Sequence, residues 1–225
     1  MGLPLVAVPG ILEDQASWRP ALAGLSVFSA VIANHGATIG EMAASMLDHA
    51  PARFVLLGHS LGGYVALEAA LQAPERVVGL VLASTSARSE TAAGRQARQQ
   101  LVEAARDDFP GVVARLSRAA LARDSRAEHL AAVEAMMLAG GVERFAREQA
   151  AAAARPEFAS RIGAIACPVL VITGSADAVI SSEASDELAA AIPGAALVRL
   201  MGCGHMPQLE ERAAFTAAVE EFLPR

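Results

Sequence analysis

Three residues far apart in the chain, Ser60, Asp177 and His205, are the types that together perform nucleophilic acyl transfer. A serine hydroxyl is a weak nucleophile at neutral pH, so it needs a base, and the base needs an acid that orients it. Ser60 stands in Gly58-His59-Ser60-Leu61-Gly62-Gly63, after the apolar run Arg53 to Leu57 and before the helical-looking stretch Tyr64 to Leu71. A strand, a sharp glycine-flanked turn and an immediate helix push the serine to the tip of the turn. Glycines at 58 and 62 let the two backbones pass without Cβ clashes. The helix N-terminus beneath the serine favours the negative charge that acyl transfer develops on a carbonyl oxygen.

Asp177 closes Gly174-Ser-Ala-Asp177 after the apolar strand Pro168 to Thr173. His205 closes Met201-Gly-Cys-Gly-His205 after the strand Ala196 to Leu200. Each has a plain structural alternative. Ser60 could cap a helix in an ordinary turn, Asp177 could bond its own backbone, and His205 could be a surface-loop residue. Asp186 and Glu183 compete for the acid role but read as helix residues. The oxyanion needs backbone donors: the Leu61 N–H is one, and the loop opened by Pro9-Gly10 supplies Ile11, with Leu12 as the alternative.

The elements that must position these residues alternate in type. Strands are expected at Leu3 to Val8, Ser26 to Ile32, Arg53 to Leu57, Val77 to Ala83, Pro168 to Thr173 and Ala196 to Leu200. Helices fall between them: Trp18 to Leu25 capped by Ser17, Thr38 to His49, the one after Ser60, Glu183 to Ile192, and Glu211 to Leu223. Alternation of this kind gives an α/β fold, a mostly parallel twisted sheet of about six strands with helices on both faces. Ligands in such sheets bind outside the carboxyl ends of the strands, where all three candidate residues emerge.

The pattern changes near Arg88. Residues 88–160 hold no convincing strand and four helical segments, near 91–106, 110–122, 126–139 and 142–154. The expected organisation is a core of 1–87 and 161–225 with 88–160 inserted as a helical cap. Phe109, Met136, Met137 and Phe145 from the cap, and Trp18, His35 and Met206 from the core, are candidates to line a substrate pocket. Helical periodicity alone also accounts for such apolar residues. Arg144 with Glu148 and Glu143 with Arg147 read as i,i+4 pairs on a solvated face.

Composition excludes several functions. The formal net charge is −6, so there is no basic footprint for nucleic acid or an anionic membrane. All 18 basic residues are arginine, which removes any Schiff-base, pyridoxal-phosphate or P-loop lysine. Cysteine and histidine spacing shows no zinc pattern and no GxGxxG follows a strand, so neither metal nor organic cofactor is expected. No apolar run reaches about 18 residues and no leader pattern opens the chain, so a cytoplasmic protein is expected. Cys167 and Cys203 are expected at opposite ends of the sheet, as reduced thiols beyond disulfide reach.

Pro9-Gly10, Gly58-His-Ser-Leu-Gly-Gly63, Gly174-Ser-Ala-Asp177 and Gly204-His205-Met-Pro-Gln-Leu-Glu210 together resemble the α/β-hydrolase superfamily, whose members follow the same Ser, Asp, His chain order. The resemblance covers nearly the whole chain outside the cap. It implies a serine hydrolase acting on small-molecule esters or lactones through a Ser60-His205-Asp177 triad, Leu61 and Ile11 N–H donors and an acyl-enzyme. It also admits a C–C bond hydrolase or lyase, or a non-catalytic binding member. Two departures stand out: many relatives carry His-Gly where this chain has Pro9-Gly10, and the strand leading to the oxyanion loop is expected already at Leu3, without the family's usual antiparallel first strands before it.

Overall fold

The computed structural model describes residues 2–224. Six strands form one sheet: β1 Leu5–Val8, β2 Ser29–Val31, β3 Phe54–His59, β4 Val77–Ala83, β5 Val169–Gly174 and β6 Ala196–Leu200. Their order is β2-β1-β3-β4-β5-β6, and every pairing is parallel. The strand order reverses between β1 and β3, so the crevice at that switch point opens between the loop after β1 and the turn carrying Ser60.

Helices cover both faces: α1 Gln15–Leu22 and α10 Arg212–Phe222 on one, α2 Ile39–His49, α3 Leu61–Gln72 and α8 Ser182–Ala191 on the other. Side-chain alternation along β1 decides which residue meets which layer. Leu5 and Ala7 pack with Trp18, Leu22, Phe215 and Val219, whereas Val6 and Val8 pack with Met42, Met46 and Val65. Being covered on both faces, β1, β3 and β5 are buried throughout, which is why they read as continuous apolar runs.

Local differences from the sequence reading have local causes. The second strand is confined to Ser29–Val31 at the sheet edge, because the Ser26 N–H and hydroxyl are taken by the Glu220 carboxylate. The first helix begins earlier, since Asp14 and not Ser17 caps it by accepting from the Ala16 and Ser17 N–H groups. A one-turn helix, α9 Pro207–Glu210, precedes α10. Between β4 and β5 lie α4 Ala92–Asp107, α5 Phe109–Ala120, α6 Arg126–Gly140 and α7 Val142–Ala153, with their own apolar cluster around Val113, Val133 and Phe145. Both cysteines are free thiols.

The start of α3 is pressed against two strands. A Cβ on Gly62 would lie 2.1 Å from the Val8 carbonyl oxygen, and one on Gly58 would lie 2.3 Å from the Gly62 carbonyl oxygen. Backbone cannot yield as a side chain can. Gly62→Ala is therefore expected to cost about 3 kcal/mol or more, a drop in Tm of roughly 6–12 °C for a chain of this size. Gly163→Ala is the control, since nothing lies within 4 Å of a Cβ there. Thermal melts of both variants check this, and equal Tm values would contradict it.

Candidate functional site

Ser60 occupies the turn between β3 and α3 with φ 52° and ψ −115°, a conformation that L-residues rarely adopt. Its backbone is held from both sides. The Ser60 N–H donates to the Ala83 carbonyl at 3.0 Å, and the Ser60 carbonyl accepts from the Thr85 hydroxyl at 2.9 Å and the Gly63 N–H at 3.0 Å. Among the described residues, Leu12 (φ 59°) and Ser84 (φ 46°) are the other non-glycine residues with positive φ. All three lie just beyond the carboxyl ends of adjacent strands. Strain is thus concentrated at one edge of the sheet.

The loops after β5 and β6 bring Asp177 and His205 to that edge. His205 Nε2 lies 3.0 Å from Ser60 Oγ, and His205 Nδ1 lies 2.8 Å from Asp177 Oδ2. The other Asp177 oxygen accepts from the Val179 and Ile180 N–H groups at 2.8 and 2.9 Å, so this residue is at once a turn aspartate and the histidine's partner. Burial works against ionisation of Asp177, but His205 and the two N–H donors outweigh it and hold the carboxyl below its usual range. An ionised carboxylate makes Nδ1 the donor, which leaves Nε2 free to accept the serine proton. Asp186 instead pairs with Arg199 on the surface, and Glu183 is exposed at the start of α8.

The backbone donors separate cleanly. Leu61, the first residue of α3, and Ile11, in the loop after β1, have N–H groups without a partner among the described residues. The Leu12 N–H is committed elsewhere, donating to Glu148 Oε2 at 2.8 Å. Of the two candidates for the second donor, Ile11 is the free one.

Three carboxylates that sequence reasoning missed organise these loops. Glu13 is 3% exposed and accepts from the Gly10 N–H at 2.9 Å and the Trp18 indole N–H at 3.1 Å. Its other oxygen sits 2.7 Å from Nδ1 of the fully buried His59, a close contact bent away from the in-line direction. His59 Nε2 donates to the His205 carbonyl at 2.6 Å. A carboxylate at one ring nitrogen and a carbonyl acceptor at the other favour the doubly protonated ring of His59. Burial alone would lower the His59 pKa, but Glu13 raises it above the ordinary value, while burial of Glu13 is outweighed by His59 and its carboxyl is lowered.

Glu148 on α7, fully buried, binds the Leu12 N–H and Arg144, whose guanidinium also donates to the Glu13 carbonyl at 2.7 Å. The Arg144 and Glu148 pair is therefore not on a solvated helix face, because this face of α7 packs against the loop after β1. Burial pushes the Glu148 carboxyl up, only partly offset by Arg144. Glu210 accepts from the Ala122 N–H at 2.7 Å, the Ser125 hydroxyl at 2.6 Å and the Met206 N–H at 3.0 Å. The His205 N–H donates to the Ala120 carbonyl at 2.8 Å. The four-helix insertion is thus tied to the loops carrying Ile11 and His205.

A cavity of about 220 Å³ opens above Ser60. Its walls include Met137 and Met206 from the expected set, together with Tyr64, Leu101, Arg98 and Gln149. Trp18 does not line it, being buried edge-on between His59 and Phe215 in the core. Phe145 is fully buried in the cluster of the insertion with Phe109 tilted against it, and Met136 packs on the same cluster. His35 is exposed, away from the cavity. Periodicity locates apolar faces but not which face meets a cavity. Among the described residues, no group of three or more His, Cys, Asp or Glu side chains could hold a metal ion.

The His59 and Glu13 pair makes a pH-dependent contribution. A raised His59 pKa stabilises the fold fully below the ordinary value of 6.5, and this fades as pH rises through the folded-state value; a lowered Glu13 pKa stabilises it fully above 4.5 and fades as pH falls. The pair therefore contributes most between those two values. Glu13→Gln strands a buried imidazole and is expected to cost about 3 kcal/mol at pH 5.5, with a smaller loss at pH 9. Urea melts at both pH values check this, and a larger loss at pH 9 would contradict it.

Residues 6–219 match the model of an alpha/beta hydrolase family. A pimeloyl-[acyl-carrier protein] methyl ester esterase of Edwardsiella ictaluri is 30% identical over 193 residues, 82% of this chain and 75% of that protein. A Klebsiella pneumoniae protein assigned as a carbamate hydrolase is 30% identical over 195 residues, covering 82% of this chain and 71% of that one. Among solved structures, a thermophilic esterase from Thermogutta terrifontis, in its malate-bound form, superposes with a TM-score of 0.89 at 28% identity, covering 98% of this chain and 89% of its own. With the parallel sheet, the strand, turn and helix around Ser60 and this family match along nearly its whole length, the chain belongs to the alpha/beta hydrolase family.

Proposed function

We propose that this protein is a serine hydrolase of carboxylic esters or lactones, with Ser60 as nucleophile, His205 as general base and Asp177 as its orienting acid. The observation that carries the reading is the unbroken hydrogen-bonded chain, 3.0 Å from Ser60 to His205 and 2.8 Å from His205 to Asp177, beside two free backbone N–H groups. The esterases among the relatives support ester chemistry. Residues 88–160 act as a cap that roofs the cavity through Arg98, Leu101, Leu116, Met137 and Gln149.

The reaction runs in two displacements. His205 Nε2 takes the Ser60 proton as Oγ forms a bond to the substrate carbonyl carbon, and the electron pair of the C=O moves onto oxygen. The Leu61 and Ile11 N–H groups donate to that oxyanion. Collapse breaks the bond to the alkoxy oxygen, which leaves with the proton held by His205; in a lactone it remains on the same molecule. Water then repeats the sequence on the acyl-enzyme, with His205 taking its proton and returning it to Ser60. Asp177 stabilises the imidazolium in both steps. The helix dipole of α3 adds to the oxyanion field.

A C–C bond hydrolase or lyase would recruit polar groups at the reacting centre beyond the candidate triad. Asn34 is spent on the Pro9 carbonyl, His35 is exposed, and Ser86 is buried outside the cavity wall. The ester reading needs nothing beyond the residues in place.

A p-nitrophenyl ester chain-length series on wild type, Ser60→Ala, His205→Ala and Asp177→Asn tests this. Ser60→Ala and His205→Ala are expected to lower kcat at least about 10³-fold, and Asp177→Asn by roughly 10³ to 10⁴ through the wrong imidazole tautomer. No turnover above the Ser60→Ala background on any ester would refute the reading. A non-catalytic binding member would then be the better description.

A further inference from the structure

The cavity above Ser60 is lined mostly by apolar side chains, with Glu13, His59, Arg98 and Gln149 among its polar ones. Arg98 on α4 and Gln149 on α7 line this cavity and also a groove on the outer side of the insertion, so the pair forms the partition between them. Arg98 Nε donates to Glu90 at 2.6 Å and Arg98 Nη1 donates to the Gln149 side-chain oxygen. Its Nη2 has no partner among the described residues, nor has the Gln149 amide nitrogen. Two adjacent donors are thus left without a protein partner on residues that line the cavity.

The charge at this point is not cancelled. Glu90, 11% exposed, is shared between Arg98 and Arg155, which lies 2.8 Å from it and is itself stacked over the Tyr64 ring at 4.8 Å. Two guanidiniums on one carboxylate leave one net positive charge. Arg95 touches the same segment through the Glu90 carbonyl, and Glu103 and Arg106 face the outer groove, where they offset each other. Arg98 is 26% exposed, so water covers part of its charge, and an anion in the cavity would pair with it in place of that water.

We propose that this part of the cavity wall is a carboxylate subsite: the substrate is an ester that carries a second, anionic carboxylate remote from the scissile carbonyl, held by Arg98 Nη2 and the Gln149 amide. This deepens the esterase reading and rests on it. A carboxylate accepts two parallel N–H bonds and suits a guanidinium with one free edge. The cavity of about 220 Å³ has room for a short aliphatic chain, given that roughly 150 Å³ suffices for benzene. Arg98 would then be a specificity-determining residue, selecting half-esters of dicarboxylic acids over neutral esters of equal length.

The test compares monomethyl adipate with methyl hexanoate as substrates for wild type, Arg98→Gln, Arg98→Lys and Gln149→Leu. Wild type is expected to favour the half-ester at least tenfold in kcat/KM, mainly through KM. Arg98→Gln should lower that ratio tenfold or more, Gln149→Leu less, and Arg98→Lys should restore part of it. A wild-type ratio at or below unity, or a ratio unchanged by Arg98→Gln, would overturn the proposal. Calorimetric titration of Ser60→Ala with adipate keeps the two readings apart. Without Ser60-dependent turnover of either ester the esterase reading falls, and the subsite is then decided by whether adipate binds Ser60→Ala and binds at least tenfold more weakly when Arg98→Gln is added.

Discussion

The rest of the structure depends on how closely the start of α3 approaches β1 and β3. With glycine at 58 and 62, the helix begins within contact distance of the Val8 carbonyl, and the chain can reverse only by placing Ser60 at φ 52°. That conformation stores strain, which bonds to Ala83, Thr85 and Gly63 contain. The same approach brings the Leu61 and Ile11 N–H groups to one edge, because one opens the helix and the other lies in the loop after β1. Hydroxyl and backbone donors are therefore set by one packing decision.

Around that decision, three carboxylates tie the loops at this edge of the sheet together. Glu13 gathers the Gly10 N–H, the Trp18 indole and the His59 ring, and His59 reaches the carbonyl of His205, so the loops after β1 and β6 are referenced to one another behind the candidate triad. Glu148 and Glu210 perform the corresponding task from the helical insertion, tying it to the loop after β1 and to the segment after His205. Glu13 and Glu148 are buried with several donors, the condition under which a buried charge is tolerated, and Glu210 is half-buried.

Much of this was legible in the sequence. The six strands, the four helices of the insertion and the placement of Ser60, Asp177 and His205 at strand ends all follow from local signals: apolar runs, glycine-flanked turns and helical periodicity. The chain order then puts all three at one sheet edge without further information. What was not legible rests on pairings between distant positions. Glu148 meets Leu12 across 136 residues and Glu210 meets Ala122 across 88, so Arg144 with Glu148 looked like a solvated i,i+4 pair and Glu13 like a loop residue. Pocket walls were the least readable: Phe145 and Met137 share an amphipathic pattern, but only the packing of α6 and α7 decides that Met137 meets the cavity and Phe145 the interior.

The central claim is that the turn presents Ser60 as an activated nucleophile, and covalent trapping reads that directly. Wild type, Ser60→Ala and His205→Ala would be treated with a fluorophosphonate and examined by intact-mass and peptide mass spectrometry. A single adduct on the peptide bearing Ser60, absent in Ser60→Ala and strongly slowed in His205→Ala, is the predicted result. No adduct on wild type, or labelling that persists in Ser60→Ala, would contradict it.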